Sequence, residues 1–141
     1  MNKPFKFLVI FMSLLLANAQ ISCDNNDDCE DAICTLVLVR FSVSVTDQNQ
    51  NPVALDSYEV INLENGENIT ISLAPTELEE ALQFGEYPLI EDDVIGVNRQ
   101  QQIRFRGFIN NQEVISSDYT VSSDCCHVSL VSGNLELTIQ Q

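Results

Sequence analysis

Apolar and polar residues alternate with a period of two along most of the chain from Thr35 onward. Over 37–46 valine and phenylalanine stand at every second position, and the residues between them are mostly polar after Leu38. Alternation of this kind is typical of a strand with one buried face. The start of this segment is apolar on both faces, and 134–140 near the end of the chain alternates without interruption. The pattern predicts a protein built from strands.

Turn-forming residues separate these segments. The polar cluster 47–52 ends in a proline, which cannot continue a ladder, and therefore predicts a turn. Asn65-Gly66 predicts the turn of a hairpin whose arms are 58–63 and 69–73. The remaining alternating or apolar segments predict further strands over 85–90, 103–106, 114–121, 126–131 and 135–139.

One segment breaks the alternation. Over 76–82 the pattern predicts a helix of at most two turns, which starts at Pro75 or Thr76 and has Thr76 and Glu79 as a capping box. Seven or eight short strands with almost no helix predict an all-β fold, an antiparallel β-sandwich of the Ig-like or transthyretin-like kind. No internal repeat or long linker divides the chain, so we predict one sandwich domain over 34–141.

Two short motifs resemble a known group of sandwiches. The segment 43–53 resembles the opening strand and turn of carboxypeptidase-regulatory-like and other transthyretin-like domains, and Gly85-Glu86-Tyr87-Pro88-Leu89 is similar to their G-x-Y segment. Asn51 stands where those domains usually have a glycine before the proline. The resemblance implies a structural or adhesive module and brings no catalytic residues to this chain.

The N-terminal residues 1–22 have the pattern of a signal peptide. Two lysines precede ten residues, 7–16, that are apolar except for one serine. This run has the length of a signal-peptide core and is too short to span a bilayer, which takes about 20 residues. Cleavage after Ala17-Asn18-Ala19 would release a periplasmic or secreted protein that begins at Gln20. Alternatively, Ile21-Ser22-Cys23 resembles a bacterial lipobox, in which Cys23 is lipidated and becomes the first residue.

The number of cysteines favours the lipobox. The chain has five cysteines, and an odd number in an exported protein requires an explanation. A lipidated Cys23 leaves Cys29, Cys34, Cys125 and Cys126. A zinc site is disfavoured, since the spacing of the first two is long and the last two are adjacent. An oxidising compartment favours disulfides, and we predict that Cys29 and Cys34 pair across with Cys125 and Cys126, in an order that the sequence leaves open.

Residues 23–33 are predicted to form a tether between the lipid and the domain. Five of the eight residues 24–31 are acidic, and such a run cannot enter a core without a large desolvation cost. It resembles the acidic tether of surface lipoproteins of some Gram-negative bacteria. A calcium loop starting at Asp24 is the alternative, but it lacks the glycine at position 6 and the glutamate at position 12.

Charge narrows the range of partners. The 141 residues include 21 acidic and six basic ones, for a formal charge of −15. Both lysines lie in the signal peptide, so the mature chain keeps four arginines against 21 acidic residues and a formal charge of −17. Such a chain would be repelled by a phosphate backbone, and nucleic-acid binding is excluded. The expected partners are a membrane, through the lipid anchor, and a protein or glycan.

Few side chains are candidates for a catalytic or anion-binding site. His127 is the single histidine and has Ser123, Asp124 and Ser129 near it in sequence, but no G-x-S-x-G motif accompanies it. An exposed strand histidine is the favoured interpretation. Arg104 and Arg106 share one strand face and form a candidate anion-binding pair, although cross-strand pairing with the many carboxylates is the favoured interpretation.

These observations predict a non-enzymatic, lipid-anchored protein of the outer membrane, cell envelope or cell surface, which presents a disulfide-linked sandwich for binding or structural support. No cofactor, metal or catalytic residue is expected. The alternatives are an accessory subunit of a surface nutrient-uptake or secretion complex, and an extracytoplasmic hydrolase with His127 and the arginine pair at its site.

Overall fold

The computed structural model describes residues 29–140. The predicted signal peptide, Cys23 and the first five positions of the alternative calcium loop, 24–28, lie outside this part of the chain. Within 29–140 no helix has the length and apolar character needed to cross a membrane. The described chain forms seven strands and one helix: β1 (Arg40–Thr46), β2 (Ser57–Asn62), α1 (Pro75–Phe84), β3 (Glu86–Glu91), β4 (Gln100–Ile109), β5 (Gln112–Ser123), β6 (Val128–Ser132) and β7 (Glu136–Thr138).

The strands form two sheets, of order β3-β1-β7 and β2-β4-β5-β6. Every neighbouring pair is antiparallel except β1 and β7, which run parallel. The predicted all-β sandwich is therefore confirmed, with seven strands among the described residues. The parallel pair was not predicted, because alternation along a strand does not indicate the direction of its neighbour.

The core lies between the two sheets, where the alternating apolar residues meet. Tyr58 of β2 and Phe105 of β4 face Tyr87 of β3, with ring centroids 5.4 Å and 6.3 Å from the Tyr87 ring. The Tyr87 hydroxyl accepts a hydrogen bond from Leu55 N–H at 2.7 Å and donates one to Val53 O at 2.8 Å. The buried ring thus also fixes the chain between β1 and β2. Ile103 and Phe105 are fully buried, as their alternation with the arginines predicts.

Gly85 joins α1 to β3 at a place where only glycine fits. Its φ is +66°, and a Cβ there would lie 2.6 Å from the carbonyl oxygen of Val45. The close approach allows Val45 N–H to donate to Gly85 O at 2.7 Å. The two motifs that carry the family resemblance therefore lie side by side, with Val43 paired to Tyr87.

The first strand begins later than the alternation predicts. β1 starts at Arg40 rather than at Thr35, and residues 35–39 belong to no ladder. Leu36, Val37 and Leu38 are exposed. The residues before this segment are bonded to Cys125 and Cys126 through Cys29 and Cys34, and Thr35 contacts His127, so the chain reaches β1 from the end of the sandwich and not along the sheet.

The predicted hairpin has its turn but only one of its strands. Gly66 turns at φ +75°, yet 69–73 is not a strand. Ile69 N–H donates to Val60 O at 2.8 Å, whereas Val60 N–H donates to the Thr70 hydroxyl at 2.8 Å. A side chain thus replaces the backbone acceptor that would continue the ladder, and the second arm runs beside β2 without forming a regular strand.

The helix is longer than predicted and has a different cap. It starts at Pro75, as expected, but extends over ten residues to Phe84. Ala74 occupies the cap position in place of Thr76, and its N–H donates to Glu77 Oε2 at 2.9 Å. The acidic residue of the first turn that caps the helix is therefore Glu77 and not Glu79.

The described N-terminal segment and the end of the last strand lie at opposite ends of the sandwich. β1, β4 and β6 begin at the end where β3 and β5 finish, as the pairs Arg40–Glu91 and Ser123–Val128 show. We call this the stapled end, since both disulfides lie there. β7 runs parallel to β1 and so finishes at the far end.

Candidate functional site

The stapled end is held by both disulfides. Cys29 is bonded to Cys125 and Cys34 to Cys126, with Cα–Cα distances of 5.3 Å and 5.2 Å. Both distances fall in the ordinary range for disulfides. The predicted cross-pairing is confirmed, and the order that the sequence left open is settled. Four sulfurs engaged in this way cannot serve as the thiolate ligands of a zinc ion.

The disulfides hold residues 29–39, which we call the strap, across the end of the sandwich. Beyond Cys34 the Thr35 hydroxyl lies 2.8 Å from His127 Nε2. At the end of the strap, Val39 N–H donates to Asp92 Oδ2 at 2.9 Å, and Val39 O accepts from Asp92 N–H at 3.1 Å. The strap is therefore fixed by covalent bonds at its start and by hydrogen bonds where it joins β1.

Asp92 is the central acceptor at this end. Its side chain is 8% exposed, and its carboxylate accepts from Val39 N–H, from Val128 N–H at 2.8 Å and from His127 Nδ1 at 2.9 Å. Burial disfavours the charged form, but the three hydrogen bonds outweigh it, so the pKa of Asp92 lies below its ordinary value. The carboxylate joins the strap, β6 and the histidine ring.

His127 lies just before β6 and is half-buried rather than exposed, because its ring is held between Asp92 and Thr35. In the catalytic triads of hydrolases, an aspartate likewise bonds to Nδ1 of a histidine and the nucleophilic hydroxyl bonds to Nε2. None of the sequence neighbours Ser123, Asp124 and Ser129 takes part. Asp124 Oδ1 instead accepts the N–H groups of Cys126 and His127, at 2.7 Å and 2.8 Å.

Little space adjoins the ring. A shallow pocket of about 80 Å³ lies beside it, between the 93–97 loop and the 123–128 segment. Ligand sites commonly measure about 300–1,000 Å³, so this pocket is too small for a drug-sized molecule. The Thr35 hydroxyl of the strap also occupies Nε2, so a water or substrate group could not reach this nitrogen without displacing it. The arrangement favours a structural role for His127.

Both candidate anion-binding arginines are engaged by carboxylates. Arg104 donates from Nε and Nη2 to both oxygens of Asp118, at 2.5 Å and 2.8 Å, which lowers the pKa of Asp118. Arg106 contacts Glu113 at 2.7 Å and Glu59 at 3.3 Å. These are pairs between neighbouring strands of one sheet. An external anion would have to compete with these carboxylates, and the anion-binding role stays a prediction.

A second groove, of about 190 Å³, lies between α1 and the sheet that contains β1 and β3. Glu77, Glu80 and Glu86 line it, together with Arg40 and the exposed ring of Phe84. Arg40 is already paired with Glu77 at 3.3 Å and with Glu91 at 2.6 Å. The groove is therefore predominantly acidic and has a single, neutralised cation.

Within residues 29–140 no three His, Cys, Asp or Glu side chains converge in a way that could hold a metal ion. Comparison with known proteins found no match to a family model, a curated protein or a solved structure.

Replacing Asp92 with Asn is expected to lower the free energy of unfolding by roughly 1–3 kcal/mol, because the amide removes the charge and one acceptor oxygen from three buried or half-buried donors. Asp93→Asn is the matched control, since Asp93 is exposed and its replacement should change stability by less than about 0.5 kcal/mol. Urea unfolding of both variants measures the difference. Equal effects at the two positions would contradict the central role of Asp92.

The stability difference between the wild type and Asp92→Asn should also depend on pH. A carboxylate with a lowered folded pKa stabilises the fold fully above the ordinary value of 3.8, and this contribution is lost as the pH falls through the folded pKa. The stability gap between wild type and Asp92→Asn should therefore narrow on acidification below about pH 4. A gap that stays constant down to acid unfolding would show that the Asp92 charge does not stabilise the fold.

Proposed function

We propose that this protein is a non-enzymatic module of the bacterial cell envelope or surface, anchored by lipid on Cys23. The observation that carries the proposal is the pairing of Cys29, Cys34, Cys125 and Cys126 with one another. Every cysteine of the described residues is thereby used, and the sequence has one more, Cys23, at the end of a lipobox-like motif. Lipidation explains why an exported chain carries this odd cysteine.

Two structural disulfides indicate an oxidising compartment outside the cytoplasm. In bacteria the lipobox resemblance makes this compartment the envelope, and we propose the outer membrane or the cell surface. The acidic residues after Cys23 then separate the acyl chains from the sandwich. Release after Ala19, which would give a periplasmic or secreted protein, is the competing outcome.

We further propose that the sandwich belongs among the carboxypeptidase-regulatory-like and transthyretin-like domains and serves in binding or structural support. The direct contact between the two motifs that carry this resemblance supports the proposal, since β1 pairs with β3 through Val43 and Tyr87. A protein or glycan is the expected partner, and capture from detergent-solubilised membranes is the route to identify it.

Fractionation of cells that express the full chain tests the anchor. The protein should stay with the membranes through washes in high salt and alkali and should be released only by detergent. Release by salt alone would show a peripheral association through charge, which a formal charge of −17 makes unfavourable on an anionic membrane. Recovery in the soluble fraction would contradict the proposal.

An extracytoplasmic hydrolase is the second candidate, and the Asp92–His127–Thr35 chain is the observation that favours it. The N–H groups of Cys126 and His127 already donate to Asp124, which leaves them unable to stabilise an oxyanion. Hydrolysis of nitrophenyl esters and peptides by the wild type, by Thr35→Ala and by the control Ser129→Ala separates the candidates. Turnover that only Thr35→Ala abolishes would establish the hydrolase and overturn the non-enzymatic proposal.

A further inference from the structure

The strap exposes a row of large apolar side chains, Ile33, Leu36, Val37 and Leu38, which we call the apolar strap face. Ile33 is 98% exposed and Leu36 is as exposed as in an extended peptide, and Val37 and Leu38 are more than half exposed. Single apolar residues are common on protein surfaces, but four large exposed apolar side chains within six positions are a concentration of apolar surface that is typical of an interaction site.

The fold prevents these side chains from withdrawing into the core. Cys34 is bonded to Cys126 in the middle of the row, and Thr35 is hydrogen-bonded to His127 beside it. Val39 is held by Asp92 just after the row. A flexible segment with this composition could collapse onto the sandwich, whereas the strap is fixed in an exposed position.

The distance to Cys23 identifies what lies opposite this face. Cys29, within the predicted tether 23–33, is bonded to Cys125, so the chain between a lipidated Cys23 and this first covalent link to the sandwich is only six residues long. Six residues span at most about 21 Å when fully extended. A lipid on Cys23 therefore keeps the stapled end within about that distance of the bilayer surface, and the apolar strap face lies at the same end.

We infer that the apolar strap face inserts into the headgroup layer of the bilayer that holds Cys23. The inference rests on the proposed lipid anchor. It fixes the orientation of the domain, because the far end, where α1 meets Gly85 and where β7 finishes, then points away from the membrane. At headgroup depth, water and lipid oxygens remain available to the strap backbone.

The charges near the strap determine which membrane it suits. Glu30 and Asp31 are exposed directly before Ile33, and Asp93 is exposed on the neighbouring loop. Anionic headgroups would repel these carboxylates. Insertion is therefore expected on a zwitterionic surface and should weaken as anionic lipid is added at low salt.

Because the sequence contains no tryptophan, the fluorescence of one introduced tryptophan reports on a single position. Leu36→Trp places the single indole on the apolar strap face, where a fully exposed side chain leaves room for it. Phe84→Trp is the matched control, since Phe84 is 54% exposed and lies at the far end next to Gly85. Both variants are made in the full chain, and the mature proteins are purified from membranes and reconstituted into phosphatidylcholine vesicles.

The indole of Leu36→Trp should show blue-shifted emission and should be quenched when the vesicles contain phosphatidylcholine brominated near the headgroup. The indole of Phe84→Trp should show neither change. Equal, unquenched emission from both variants would overturn the inference. A blue shift without quenching, dependent on protein concentration, would show that a second copy covers the strap, and would also overturn it.

The mass of each purified protein is measured before reconstitution, which separates the two proposals. A protein without acyl chains refutes the lipid anchor itself. If the protein carries acyl chains but the indole of Leu36→Trp remains in water, only the proposed membrane contact of the strap is refuted. Leu38→Trp, on the same face, provides a second position for the same measurement.

Discussion

Removal of both disulfides is expected to lower the free energy of unfolding by about 7 kcal/mol. The bonds join residues 96 and 92 positions apart. Cross-links that close such long loops restrict the unfolded chain strongly, and a typical domain has only about 5–15 kcal/mol of net stability. The reduced protein should therefore be largely unfolded or marginally stable at 37 °C.

The two bonds should not contribute additively. Once one long loop is closed, the second bond adds only the small ring formed by residues 29–34 and 125–126. The chain-entropy relation gives about 4.7 kcal/mol for the first bond and about 2.5 kcal/mol for the second. Loss of either bond alone should thus cost about 2.5 kcal/mol, and loss of the remaining bond about twice as much.

Urea unfolding of three variants measures this dependence. Cys29→Ser with Cys125→Ser removes one bond, Cys34→Ser with Cys126→Ser removes the other, and the fourfold variant removes both. The two variants that each lose one disulfide should have similar free energies of unfolding. The fourfold variant should lose more stability than the sum of the losses of those two variants. Two large and additive losses would show that each bond stabilises the native contacts around it rather than the shared loop.

Replacement of Cys23 by Ala is expected to abolish the attachment of the mature chain to the membrane through lipid. Acyl chains contribute about 0.8 kcal/mol for each CH₂ group buried in the bilayer, and stable anchoring requires more than one chain. The variant should accumulate as precursor or appear in the soluble fraction, whereas the wild type stays with the membranes.

A second cysteine variant serves as the control. Cys29→Ala with Cys125→Ala removes a disulfide but leaves Cys23 in place, so its product should remain attached to the membrane. Detachment in both variants would indicate that attachment depends on the folded stapled end and not on the lipid. Membrane attachment of a Cys23→Ala product that has lost residues 1–22 would contradict the anchor directly, whereas an uncleaved precursor stays attached through its apolar signal segment.

The sequence predicts most strands because alternation is a local property. Val43, Val45, Ile103 and Phe105 are buried as their spacing implies. The same pattern continues through Thr35 to Val39, where it predicts a strand that does not form. Two disulfides to the far part of the chain decide the course of that segment, and a local pattern contains no information about such contacts.

The candidate site was predictable only in part. Cross-pairing of the cysteines follows from the number of cysteines and the adjacency of Cys125 and Cys126, but the order of the bonds does not. Hydrogen bonds connect Thr35, His127 and Asp92 in space, although His127 is separated in sequence from Thr35 by 92 positions and from Asp92 by 35 positions. A single histidine and one aspartate among 21 acidic residues gave no signal that they would meet. The partners of Arg104 and Arg106 likewise depend on strand register.

The most direct test of the lipid-anchored module is the intact mass of the mature protein from cells that express the full chain, measured with and without reduction. We expect a polypeptide that begins at Cys23, carries acyl chains and gains the mass of four hydrogens on reduction of two disulfides. An unmodified polypeptide that begins at Gln20 would contradict this expectation.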